Sequence, residues 1–270
     1  MEVAKPEEQV FPNASRVLYR NPTLNEVVCQ VRFPTDLQVE KYPPADFQQR
    51  VRAMFPLLTR RTQSVVGALP PEVAKALEAV APPSGTNIIW QFATEDGDTQ
   101  LELTKDNLTL VSRSYDRWEQ FWEKFDRSLD AFVDLYKPPF FVRIGLRYQN
   151  VIRRSVLELS GVPWHYLLRE HVLAELAVDP VRGHVIEAAR NLLVTLADRE
   201  AKARIQHGLA QLEGCDEQCY LIDCDSFVEK TDVSHARNAI AYLHQHASRY
   251  FRWCIKDQLH EAMSPQPISD

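Results

Sequence analysis

Residues 137–152, KPPFFVRIGLRYQNVI, decide how the rest of the chain is read. Two prolines open the stretch, and a residue before proline is pushed out of the helical region. The residues after them read as a long strand. Period-2 alternation puts Phe140, Val142, Ile144, Leu146, Tyr148 and Ile152 on one face. It puts Arg143, Gly145, Arg147 and Gln149 on the other. One face is therefore core. The other carries two arginines four residues apart, about 13 Å at ~3.3 Å per residue.

Upstream of this strand, Trp118, Phe121, Trp122, Phe125, Leu129, Phe132, Val133 and Tyr136 recur at spacings of three and four. That is a wide apolar helical stripe that must cover a sheet or another helix. Asp116, with Glu119 three residues on, is the expected N-cap. Before the helix come three short strands, 88–94, 100–104 and 108–114. Asp96-Gly97 and Lys105-Asp106-Asn107 supply their turns. Downstream the same order returns. Strands are expected at 190–197, 202–212 and 218–229, then a helix begun at Asp232 or Ser234. Ala236, Ile240, Leu243, Ala247, Tyr250, Phe251 and Cys254 form its stripe.

Three strands followed by one long helix thus occur at 88–136 and 190–256. The expected fold is α+β, with two similar antiparallel strand-strand-strand-helix halves, helices packed on one extended or two packed sheets. The halves divide as 1–155 and 156–270, within two domains or one continuous domain. Elsewhere, Glu26 to Phe33 alternates as a strand, and a short helix starts at Ala45. A second short helix is expected near 72–80, closed by Pro82 to Gly85. Trp164 to Leu176 reads as helical. Residues 1–20 read as a loose arm, and Pro265 and Pro267 as a frayed tail.

Composition narrows the function classes. With 270 residues and 45% hydrophobic content, the chain can bury a core. A net charge of −6 argues against coating nucleic acid by bulk charge. No apolar run approaches the roughly 18 residues a membrane helix needs, and no leader pattern opens the chain. Five cysteines, an odd number, fit free thiols in a cytoplasmic protein. Cys215, Cys219 and Cys224 lack zinc-knuckle spacing. His244 and His246, two apart on a helix, splay by about 200° and do not share one ion. No metal site or cofactor is expected. Eight glycines in the whole chain disfavour a glycine-rich phosphate cradle, and no nucleophile elbow is present.

The residues that could carry chemistry lie on strands. Arg32 and Glu26 share a face of the first strand; Asp223, Asp225 and Glu229 share a face of the strand from Gln218. A buried guanidinium needs a carboxylate, so Arg143 and Arg147 are expected to pair with these acids. The competing reading is an anion site in which Arg32, Arg143 and Arg147 grip phosphate or carboxylate. A third reading sets a hydrolytic metal on Asp223 and Asp225. The mix of Tyr115, Arg117, Trp118, Trp122 and Lys124 could stack bases, but the helix stripe accounts for both tryptophans.

Two segments resemble an uncharacterised, sporadically distributed bacterial protein family. Asn21 to Phe33 is similar to its opening, a proline followed by Glu-Val-Val and an Arg-Phe strand end. Gly145-Leu-Arg-Tyr-Gln-Asn150 is similar to its Gly-Leu-Arg-Tyr-x-Asn motif, which adds Tyr148 and Asn150 to the candidates. The resemblance implies no established activity and no catalytic residue. Sporadic distribution implies a setting among mobile or defence-associated genes. The expectation is a non-catalytic binding or assembly protein with a protein partner or a second copy of itself. Nucleic-acid or nucleotide binding and metal-dependent hydrolysis are the alternatives.

Overall fold

The computed structural model describes residues 10–64, 86–198, 200–212, 214 and 216–267. The helix expected at 72–80, its closing prolines and Cys215 lie outside them. In chain order the elements are β1 (Val17–Tyr19), β2 (Leu24–Arg32), α1 (Leu37–Lys41), α2 (Ala45–Val51), β3 (Leu57–Ser64), β4 (Thr86–Ala93), β5 (Thr99–Leu103) and β6 (Asn107–Ser112). Then come α3 (Trp118–Tyr136), β7 (Phe141–Ile152), α4 (Trp164–Leu167), α5 (Glu170–Leu173), β8 (Ala189–Thr195), β9 (Lys202–Gln211) and β10 (Gln218–Thr231). The chain closes with α6 (Ala236–Cys254), α7 (Asp257–Ala262) and β11 (Pro265–Pro267).

The chain is α+β. Among the described residues, one antiparallel nine-stranded sheet runs in the order β3-β4-β5-β6-β2-β7-β10-β9-β8. Both three-strand meanders belong to this one sheet. β7 lies near its middle, with Cys29 opposite Leu146 on one side and Ser226 opposite Leu146 on the other. The order reads alike outward from the β2–β7 seam. The last strand of each meander, β6 or β10, lies against a seam strand, and the earlier two follow.

Helices α3 and α6 cover one face. Phe121, Phe125, Leu129 and Phe132 of α3 are buried, and so are Ile240, Leu243, Ala247, Tyr250 and Cys254 of α6. Below them lie Val27, Cys29, Val31, Leu108, Leu110, Ile144 and Leu146, all sealed from solvent. Each large side chain so buried contributes about 1.5–3 kcal/mol of transfer free energy. The helices run antiparallel. Arg237 near the start of α6 pairs with Asp126 and Asp130 of α3, and Trp118 at the start of α3 stacks on His244 in the middle of α6.

Several expectations change. Phe140 and Val142 are each 40% exposed, whereas Phe141 between them is fully buried. The alternation holds only from Ile144 onward, because the partner strand is irregular here: Lys230 takes a positive φ of 52°, and no partner is paired to Val142. The cap of α3 is Arg117, without a side-chain cap bond, and not Asp116. Asp232 precedes a 3-10 turn, Val233–His235, that leads into α6. The tail is not frayed: Pro265–Pro267 pairs with Val17–Tyr19, tying the first segment to the last. Trp164 to Leu176 is broken into α4, α5 and a 3-10 turn. Its backbone bonds elsewhere, since Arg169 N donates to Cys254 O at 2.9 Å and Lys256 N to Leu167 O at 2.8 Å.

Candidate functional site

The period-2 alternation of β7 delivers the candidate residues to opposite sides of the sheet. Arg143 and Arg147 lie on the face away from α3 and α6, together with Asp223 and Asp225 of β10. Arg147 is held side-on by Asp223, with Nε donating at 2.8 Å to Oδ1 and Nη2 to Oδ2. This diagonal is one pair off register, because Arg147 itself faces Asp225. Asp225 is instead taken by Arg143, whose Nη2 donates to both its oxygens at 2.8 and 2.7 Å.

Arg143 reaches that far only by lying along the sheet. Its guanidinium crosses Gly145, where an added Cβ would sit 2.2 Å from Nη1. It rests over the Phe227 ring, 4.6 Å from the centroid. Phe227 faces Gly145 across the strands, so the missing side chain and the flat ring make one shelf. Asp223 is 4% exposed, and its pairing with Arg147 raises the arginine's pKa above its ordinary value. The remaining charges on the strands go elsewhere. Glu26 pairs with Arg113, and Glu229 with Lys202. Arg32 is exposed and faces Arg143 without an ion-pair partner among the described residues.

Tyr148 and Asn150 point the other way, under α6. They floor a cleft of about 490 Å³ between residues 14–24, the start of α3 and the second half of α6. Its walls include Leu18, Tyr19, Tyr115, Trp118 and Phe251. A bulge shapes the floor. Leu24 faces Asn150 while Glu26 faces Gln149, leaving Asn25 as the extra residue. Thr23 is thereby placed to donate its hydroxyl to Asn150 Oδ1 at 3.1 Å.

A polar chain crosses the floor. The Tyr148 hydroxyl lies 2.7 Å from His244 Nδ1, and the Tyr115 ring meets the Tyr148 ring edge-on, with centroids 6.0 Å apart. His244 stacks on Trp118, with centroids 4.0 Å apart and planes within 5°. Burial first, and the Arg16 charge second, lower its pKa to about 4. His244 is therefore neutral at pH 7. Burial pushes Tyr115 up to about 12 and Tyr148 well above the ordinary phenol. Both phenols keep their protons.

Sequence reasoning brought together Arg143, Arg147, Asp223 and Asp225 but missed the cleft. His244 is the signal that could have found it. It sits four residues after Ile240 and three before Ala247, a polar group set into the apolar stripe of α6. Trp118 counts toward the stripe of α3 yet also walls the cleft. No protein-family model matches the chain, and no curated protein matches it.

Proposed function

We propose that this chain is a non-catalytic binding protein that holds a small-molecule-sized ligand in the cleft above Tyr148 and Asn150. One observation carries this reading: a concavity of about 490 Å³ combines aromatic walls with a small set of buried polar groups at its floor. That is the make-up of a ligand site. The alternatives lose support on the other side of the sheet. Arg143 and Arg147 already hold carboxylates, which leaves Arg32 alone of the three for a nucleic-acid backbone. Asp223 and Asp225 are each engaged by an arginine. Among the described residues, no group of three or more His, Cys, Asp or Glu side chains is placed to hold a metal.

Ser248 is exposed at the cleft, so Ser248→Trp should fill it without touching the core. Native mass spectrometry after incubation with a mixed metabolite set should show a compound retained by the wild type, recovered unchanged, and lost from Ser248→Trp. Recovery of a converted product would replace this reading with an enzyme. Retention undiminished in the variant would move the site elsewhere.

A further inference from the structure

The floor and walls of the cleft are not neutral toward charge. Asn150 is 6% exposed, with Oδ1 occupied by Thr23. Its amide Nδ2 has no partner among the described residues, and it is not among the fully enclosed orphan atoms, so it opens on the cleft. His244 has Nδ1 on Tyr148, and its Nε2 likewise has no partner among the described residues. Tyr148 is a phenol that keeps its proton and has two neighbours, His244 and Tyr115. When Tyr148 donates to His244 Nδ1, the imidazole's one proton sits on Nε2. The floor then offers two N–H donors to the cleft.

The surroundings add positive potential. Helix α3 begins here. Its first-turn N–H groups have no side-chain cap, and Asp116 and Trp118 at its start line the cleft. Arg16, Arg249 and Arg252 also line it. Arg16 is paired with Glu119 and Arg252 with Asp257, whereas Arg249 has no ion pair among the described residues. Aromatic walls alone would also suit a quaternary cation, but the uncommitted Arg249 and a helix N-terminus disfavour one. A phosphate dianion would bring two charges to a floor that supplies neutral donors and one uncommitted arginine. A monoanion with an apolar body meets both the walls and the floor.

We infer that the cleft binds a small organic carboxylate, its aromatic or aliphatic body between Leu18, Trp118 and Phe251 and its oxygens on Asn150 Nδ2 and His244 Nε2, with Arg249 nearby. This rests on the cleft being the binding site, as proposed above. The test is calorimetric titration of the full chain with indole-3-acetate, 3-phenylpropionate and octanoate, each against its primary amide, and with inorganic phosphate. At least one acid should bind, tenfold or more tighter than its amide and tighter than phosphate. Arg249→Gln should weaken the acid at least fivefold while leaving the amide unchanged, and Asn150→Ala should weaken the acid at least fivefold. Ser248→Trp should abolish both. Amides binding as tightly as acids, phosphate binding more tightly, or Arg249→Gln without effect would overturn the carboxylate while leaving a binding cleft. If no probe binds, the cleft reading falls with it.

Discussion

Two glycines show how one missing Cβ can matter for different reasons. At Gly145 an added methyl would meet the end of a long flexible side chain, Arg143, which can swing away. Gly145→Ala should therefore cost about 1 kcal/mol, the worth of a partly exposed ion pair and a cation–π contact, and leave the fold intact. At Gly208 the methyl would lie 2.0 Å from the Ala188 carbonyl oxygen, which already accepts from Leu209 N at 2.9 Å. Backbone cannot rotate aside, so Gly208→Ala should cost ~3 kcal/mol and loosen β8. Urea unfolding of both variants checks the contrast, and equal costs would contradict it. The Arg147–Asp223 pair was readable from strand parity and the need of a buried carboxylate for a cation. Its diagonal geometry was not, because it depends on how far Arg143 can lean across Gly145.

Among the elements, the two helices and the hairpins were legible because each is specified by a local pattern. The stripe of α3 and the Asp96-Gly97 turn, with Gly97 at a φ of 76°, need nothing from the rest of the chain. β3 was missed because it lacks a buried face: residues 57–62 are all exposed on the edge of the sheet, with Leu57-Leu58 followed by polar side chains. The cleft was missed because four separate segments build it. Two elements also carry an acid sensitivity. His244 on α6 and His207 on β9 both have their pKa values lowered to about 4, chiefly by burial. Unfolded, each titrates near 6.5. Between about 6.5 and 4 the unfolded chain binds protons that the folded one refuses, so stability falls with pH through that window and levels off below it. From pH 7 to pH 5 each ring should contribute a loss of roughly 2 kcal/mol. Urea midpoints should shift accordingly in the wild type, and less in His244→Gln. An unchanged shift would show that His244 is already protonated or exposed.

At the scale of the whole molecule, β7 is shared. It is the partner of β2 through the Leu24 to Arg32 register and of β10 through Tyr220 to Thr231. A chain divided after residue 155 would leave β7 in the first fragment with its β10 side unpaired, and β10 in the second without its neighbour. Neither fragment should be monomeric and folded by itself, whereas co-expression of 1–155 with 156–270 should restore a soluble pair. A folded, monomeric 1–155 by nuclear magnetic resonance would instead establish two independent units. The same strand order has a consequence during synthesis. The hairpins of β4, β5 and β6 can form as soon as they leave the ribosome, since their contacts are local. Cys29 has to wait for Leu146, and Leu146 for Ser226, before the middle of the sheet exists. The nascent chain therefore carries its most apolar strands half-zipped for much of translation. Its folding rate is governed by those late, distant pairings, which makes it a natural client for chaperones that shield strand edges.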